Sequence, residues 1–140
     1  MKRRVLVDTG PLVAILSSAD EHHAACVEAL RQLPGPLHTC WPVMTEAAWL
    51  LRFWPESVDL LLASCTRGGG GFLQLLPLSG DEAPAIAGWM KRYAEIRPQL
   101  ADAALLYLAD REGIDTIFTL DRRDFSVYRT AQRRPFRLVP

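Results

Sequence analysis

Along this 140-residue chain, apolar positions fall into two kinds of run that take turns. Short continuous runs rich in Val, Ile, Leu and Phe read as strands: Val5-Leu6-Val7, Leu37 to Cys40, FLQLLPL, Thr116-Ile117-Phe118-Thr119, and Phe136 to Val139. Between them lie longer segments with helical spacing and recognisable ends. Gly10-Pro11 turns the first strand into a helix, with Pro11 suited to its first turn. Asp20 and Glu21 supply acid to the start of HHAACVEALRQL, which stops at Pro34-Gly35-Pro36. Pro42 opens VMTEAAWLLRF, and Pro55-Glu56-Ser57 separates it from VDLLLASCTR, which the tetraglycine at 68–71 ends. Ser79-Gly80-Asp81-Glu82 begins a fifth helix, and Pro98 begins a sixth that ends at Gly113.

Strands alternating with helices or helix pairs, and strands that lack period-2 alternation, predict an α/β fold whose parallel sheet is covered on both faces. At 140 residues and 49% hydrophobic, the chain suits a single domain, 1–140, with one core. Sixteen basic and sixteen acidic residues cancel, so any attraction to nucleic acid must be local. Cys26, Cys40 and Cys65 have neither disulfide-framework nor zinc spacing, which fits a reducing cytoplasm. Asp8, Gly10 and Pro11 interrupt what could pass for a signal peptide, and no apolar run is long enough to span a membrane. The four glycines precede a strand where an anion-binding loop needs a helix, so they read as a flexible connection.

Four acids stand where an open sheet puts its chemistry, at strand ends and on apolar helical faces. Asp8 ends the first strand and Asp121 follows the fourth, with Asp124 three residues on. Glu46 shares a helical face with Pro42, Val43, Trp49 and Leu50, and Asp102 shares one with Leu105 and Leu106. Burying unpaired carboxylates costs several kcal/mol each, so such a group is tolerable mainly around a divalent cation, and oxygen ligands indicate Mg²⁺ or Mn²⁺. Local alternatives exist for each acid: a turn or cap for Asp8, the cap of a short helix for Asp121, a buried Arg partner for Glu46 or Asp102.

VLVDTGPLVAIL, Thr45-Glu46-Ala47, LADAALLYLA and TLDRRDFSVYR, in that order and spacing, resemble the PIN-domain ribonucleases, and more narrowly the VapC-type toxins of bacterial toxin–antitoxin pairs. The resemblance runs from Val5 to about Val139. It implies a three-layer α/β/α, PIN-like domain with four to five parallel strands and Mg²⁺ or Mn²⁺ held by clustered carboxylates. By motif position Asp8, Glu46, Asp102 and Asp121 match the family's acidic quartet, Thr9 and Thr119 its small hydroxyl residues, and Asp124 a more variable acid. Many relatives carry a further acid where this chain has Gln99. The activity implied is hydrolysis of RNA phosphodiester bonds by a metal-activated water, with Asp8 and Asp121 as direct ligands, Glu46 and Asp102 direct or through water, and Thr119 orienting them. An antitoxin that fills the active-site groove and a homodimer are carried over with it.

Residues 122–140 hold Arg122, Arg123, Arg129, Arg133, Arg134 and Arg137 against Asp124 alone, a basic patch beside the expected metal. The first five are candidate RNA-phosphate contacts; a solvated face or a docking surface for a partner's acids is the alternative. His22 and His23 cannot face one ion from adjacent helical positions, and His38 reads as structural. Trp41, Trp49, Trp54 and Trp89 read as core or interface aromatics, against a base-stacking role. Asp-Thr-Gly also occurs in aspartic proteases, but that architecture is all β; a phosphoaspartate enzyme needs a lysine near the last strands, and the chain has only Lys2 and Lys91. An RNA-processing nuclease that is not a toxin, and a non-catalytic module that binds metal or a partner, stay open.

Overall fold

The computed structural model describes residues 3–65 and 71–140. The connection expected at the tetraglycine lies outside the described residues except for Gly71. Among the described residues the order is β1 (Val5–Val7), α1 (Thr9–Leu16), α2 (His23–Gln32), β2 (Leu37–Thr39), α3 (Trp41–Leu50), α4 (Pro55–Ala63) and β3 (Leu73–Leu75), followed by a 3₁₀ turn (Gly80–Glu82), α5 (Ala83–Arg92), α6 (Leu100–Glu112), β4 (Thr116–Phe118), α7 (Arg122–Phe125) and β5 (Arg137–Val139).

All five strands are parallel, in the spatial order β3-β2-β1-β4-β5. Every residue of β1, β2 and β4 is buried. Because successive strand side chains point to opposite faces, this requires cover on both, and the helices supply it. α1 packs on α2, α3 and α4, while α6 packs on α5 and α3. FLQLLPL differs from expectation: β3 is an edge strand with Gln74 exposed, so the run is buried on one side only.

Helix ends follow local chemistry. Ser79 and Glu82 form a reciprocal capping box, but it organises the 3₁₀ turn, and the regular helix starts just after it at Ala83. The sixth helix begins at Leu100, two residues past Pro98, with Gln99 at the cap position, and Gly113 closes it in the left-handed conformation at φ 68°. Asp20 accepts from the His22 N–H at 2.8 Å and so organises the turn before α2 instead of lying within its first turn. No helix among the described residues is long and apolar enough to cross a membrane.

The strand order places the site. The chain builds β1, β2 and β3 outward on one side, then returns to lay β4 against the other edge of β1, so the order reverses between β1 and β4. Open α/β sheets bind ligands outside the carboxyl ends of strands at such a reversal. Val7 pairs with Phe118 in register. The residues that follow them, Asp8 and Thr119, therefore leave the sheet side by side.

Candidate active site

Asp8 is fixed by the sheet before its side chain makes any contact, since its N–H donates to the Phe118 carbonyl at 2.9 Å. The fully buried Thr119 donates its hydroxyl to Asp8 Oδ2 at 2.9 Å and accepts from the Asp121 N–H at 3.0 Å. One threonine thus orients the acid that ends β1 and the backbone that carries the acid after β4. Asp121 also caps α7, its Oδ1 accepting from the Asp124 N–H at 3.1 Å. The cap reading of Asp121 therefore holds alongside its place in the acidic group.

Asp102 lies in the first turn of α6 and is only 9% exposed. It is held from the other side, by the Tyr128 hydroxyl, which donates to Oδ2 at 3.1 Å. Tyr128 is itself fully buried, edge-on to Tyr93 and to Phe125. Glu46 is half-buried on α3. The Thr9 hydroxyl donates to its Oε2 at 3.3 Å, and Gln99, turned with its amide nitrogen toward Glu46, donates to Oε2 at 2.9 Å and Oε1 at 3.2 Å. The face that carries Glu46 is less enclosed than its apolar spacing implies, because Trp49 and Leu50 are 63% and 45% exposed.

Asp8, Thr9, Glu46, Gln99, Asp102, Asp121 and Asp124 line one cavity of about 460 Å³. Carboxylate oxygens of Asp102, Asp121 and Asp124 lie within 4.8 Å of one another, so the acid expected to be variable stands in the tightest group. Electrostatics follow from this crowding. Burial pushes the Asp8 carboxyl up to about 6, with the charges of Glu46 and Asp121 adding to it; the Thr9 N–H and the Thr119 hydroxyl pull the other way. Burial pushes Asp102 up to about 7, and Asp8, Asp121 and Asp124 raise it further, against the Tyr128 hydrogen bond. Burial and the Asp102 charge hold the Tyr128 hydroxyl well above its usual range, so it stays a donor.

The arginines of residues 122–140 sit in different surroundings. Arg123 lines a cleft beside the acidic cavity with Glu95, Asp121 and Asp124. Arg122 bonds the Pro140 carbonyl, and Arg129 Nη1 is engaged with the carbonyls of Ser126, Val127 and Tyr128 at 2.6, 3.2 and 3.0 Å. Arg133 and Arg134 are exposed and line neither the cavity nor that cleft. Trp89 is buried as expected, whereas Trp41, Trp49 and Trp54 are at least half exposed; Trp41 and Trp49 line an apolar groove that shares Glu46, Leu50 and Gln99 with the acidic cavity.

Two residues of the site have no counterpart among the sequence-based candidates. Tyr128 sits inside the quoted TLDRRDFSVYR run, but only the fold turns its hydroxyl onto Asp102. Arg97 lines the acidic cavity with a positive φ of 57°. Its position directly before Pro98 was the available signal, because that place restricts the backbone.

A parallel sheet with buried, mutually repelling carboxylates at its point of strand reversal defines a class of α/β domains with an acidic site at the carboxyl ends of their strands. The family model for the PIN domain matches residues 5–131, and the chain belongs to the PIN-domain family. Ribonuclease VapC26 of Mycobacterium tuberculosis is 32% identical over 136 residues, which cover 97% of this chain and 100% of that protein. The fold is similar to that of the crystal structure of Mycobacterium tuberculosis VapC20, described as a sarcin-ricin loop cleaving toxin, with a TM-score of 0.75 at 17% identity over 85% of this chain and 91% of that one.

Proposed function

We propose that this chain is a metal-dependent endoribonuclease of the VapC type, the toxin of a toxin–antitoxin pair, and that Asp8, Glu46, Asp102 and Asp121 carry its activity. The observation that supports this best is the pair of buried carboxylates, Asp8 and Asp102, held beside Asp121 and Asp124 with proton affinities raised into the neutral range. Such a group is costly on its own and becomes favourable around a divalent cation. The donors are all carboxylate oxygens with no Cys or His among them, which suits Mg²⁺ or Mn²⁺ over zinc.

Asp102, Asp121 and Asp124 would hold the ion, with Asp8 and Glu46 joining directly or through water. When bound, a cation of this kind lowers the pKa of a coordinated water and offsets charge that builds on the phosphoryl and leaving oxygens. The chain's own residues supply orientation. Thr119 holds Asp8 and the backbone of Asp121, the Asp124 N–H holds the Asp121 carboxylate, Tyr128 holds Asp102, and Thr9 with Gln99 hold Glu46, so each carboxylate of the quartet has a fixed partner. A neutral Gln99 at the position of the expected fifth acid fits a donor that steers Glu46. Arg123 is the patch arginine best placed for an RNA phosphate, and Arg122, Arg133 and Arg134 would add unspecific attraction further out.

RNA is the substrate in this reading, and an antitoxin is the protein partner. A second copy of the chain is a further partner, supported by exposed Leu50, Phe53, Trp54, Leu60 and Leu62 on and after α3 and α4. The test is cleavage of total bacterial RNA with Mg²⁺, with EDTA, and with EDTA followed by excess Mn²⁺. Cleavage should stop with EDTA, return with Mn²⁺, and be absent in folded Asp8→Asn; undiminished cleavage by that variant would overturn the assignment. Growth arrest on expression, relieved by a small adjacent gene product, separates a toxin from a processing nuclease.

A further inference from the structure

Arg97 stands out on three independent grounds. It is a cationic side chain lining the cavity that Asp8, Glu46, Asp102, Asp121 and Asp124 line. Yet among the described residues its guanidinium makes no ion pair within 4.0 Å and no side-chain hydrogen bond; only its backbone N–H is engaged, with the Ala94 carbonyl at 3.1 Å. Its φ of 57° lies in the left-handed region that glycine and asparagine occupy cheaply and arginine does not, immediately before a proline, which restricts it further. The segment is pinned on both sides, since Ile96 packs against the core and Pro98 is buried.

An exposed arginine that carries backbone strain beside a cavity lined by five carboxylates, and pairs with none of them, is poorly explained as a structural residue. Strained residues of this sort cluster at ligand clamps, where the surrounding structure holds them. An RNA phosphodiester brings further negative charge into a cavity already lined by acids. Even with a divalent cation in place, that charge is best met by a planar donor that can grip two oxygens at once. We propose that Arg97 binds the non-bridging oxygens of the scissile phosphate and holds it against the acidic cluster. The proposal rests on the ribonuclease reading above and adds to it the residue that positions the substrate.

The test compares wild type with Arg97→Gly, Arg97→Asn and Arg97→Lys. Glycine and asparagine relieve the backbone, so both variants should fold with a Tm equal to or above that of wild type. Their kcat/KM on total bacterial RNA with Mg²⁺ should nonetheless fall by roughly 30-fold or more, with part of the loss restored in Arg97→Lys. Binding of a single-stranded RNA of about 20 nucleotides, with Ca²⁺ replacing Mg²⁺, should weaken, and its slope against log salt should become shallower by about 0.7, one phosphate contact. A merely structural arginine would not change that slope. Cleavage by wild type together with unchanged kcat/KM and salt slope in Arg97→Gly would overturn this proposal alone. Absence of RNA cleavage by wild type would overturn the ribonuclease reading and this one with it.

Discussion

Replacing Asp102 with asparagine should make the metal-free protein more stable while removing its activity. In the fold the Asp102 carboxyl titrates at about 7, against an ordinary value of 3.8, because it is buried and faces Asp8, Asp121 and Asp124. At ~1.4 kcal/mol per pH unit, keeping it ionised costs about 4 kcal/mol relative to the neutral form. The sign follows from linkage: a carboxyl with a raised folded pKa favours the fold below about 3.8, loses that advantage as pH rises to about 7, and pays the full cost above. Asparagine imitates the neutral acid and can still accept from the Tyr128 hydroxyl. Its amide N–H₂ forfeits roughly 1–2 kcal/mol if it finds no acceptor. The net gain near pH 8 is then about 2–3 kcal/mol, or roughly 10 °C in Tm for a domain of this size. Thermal and urea unfolding in EDTA, from about pH 4 to pH 8, would read it: the variant should gain on wild type with rising pH and lose the gain near pH 4. Saturating Mg²⁺ should close the gap, because only wild type recovers its cost by binding the ion. An Asp102→Asn protein that is less stable than wild type near pH 8 in EDTA, or a difference that does not depend on pH, would refute the account of this cavity as electrostatically costly.

Other outcomes follow from neighbouring contacts. Tyr128→Phe removes the bond that favours ionised Asp102, so the acid limb of RNA cleavage should move to higher pH, at a stability cost of about 1 kcal/mol in urea titrations. Thr119→Val removes a donor to Asp8 and an acceptor for the Asp121 N–H; it should lower stability by about 1–3 kcal/mol and cut kcat more than KM. Mn²⁺ affinity, measured by calorimetry, should fall as pH drops below about 7, with protons released on binding, since the ion must displace protons from Asp8 and Asp102. His38 is buried with Nδ1 unpartnered among the described residues, and burial, then the Arg4 charge, hold its pKa below the usual 6.5. Its contribution to stability is present above that value and declines as pH falls below it, so His38→Met should flatten the acid limb of the unfolding profile below about pH 6.5.

The order of elements was legible in the chain because local rules govern it. Pro11, Pro42 and Pro55 mark helix starts, Gly113 marks an end, and the β-branched runs at Val5 and Thr116 need no partner to be recognised as strands. The PIN-like family was legible too, since its motifs are local runs in a set order. Asp8, Glu46, Asp102 and Asp121 could be singled out as acids at strand ends or among apolar neighbours, a property of spacing alone.

Tertiary structure decided what these residues meet. Periodicity says which face Glu46 shares but not how far the groove beside it is covered, so Trp49 and Leu50 turned out exposed. The approach of Thr119 to Asp8 depends on β4 pairing with β1 in register, a contact across 111 positions. Tyr128 reaches Asp102 only because the chain after α7 returns to the start of α6. The basic run after Asp121, uniform as a string of letters, divides into arginines spent on backbone carbonyls, one facing a cleft beside the acids, and others in solvent. Arg97, marked in the pattern only by its place before Pro98, lines the acidic cavity with its charge unpaired among the described residues. Local propensity and periodicity act over a few residues, whereas burial, repulsion between acids and the pairing of a guanidinium depend on distances that only the closed fold sets.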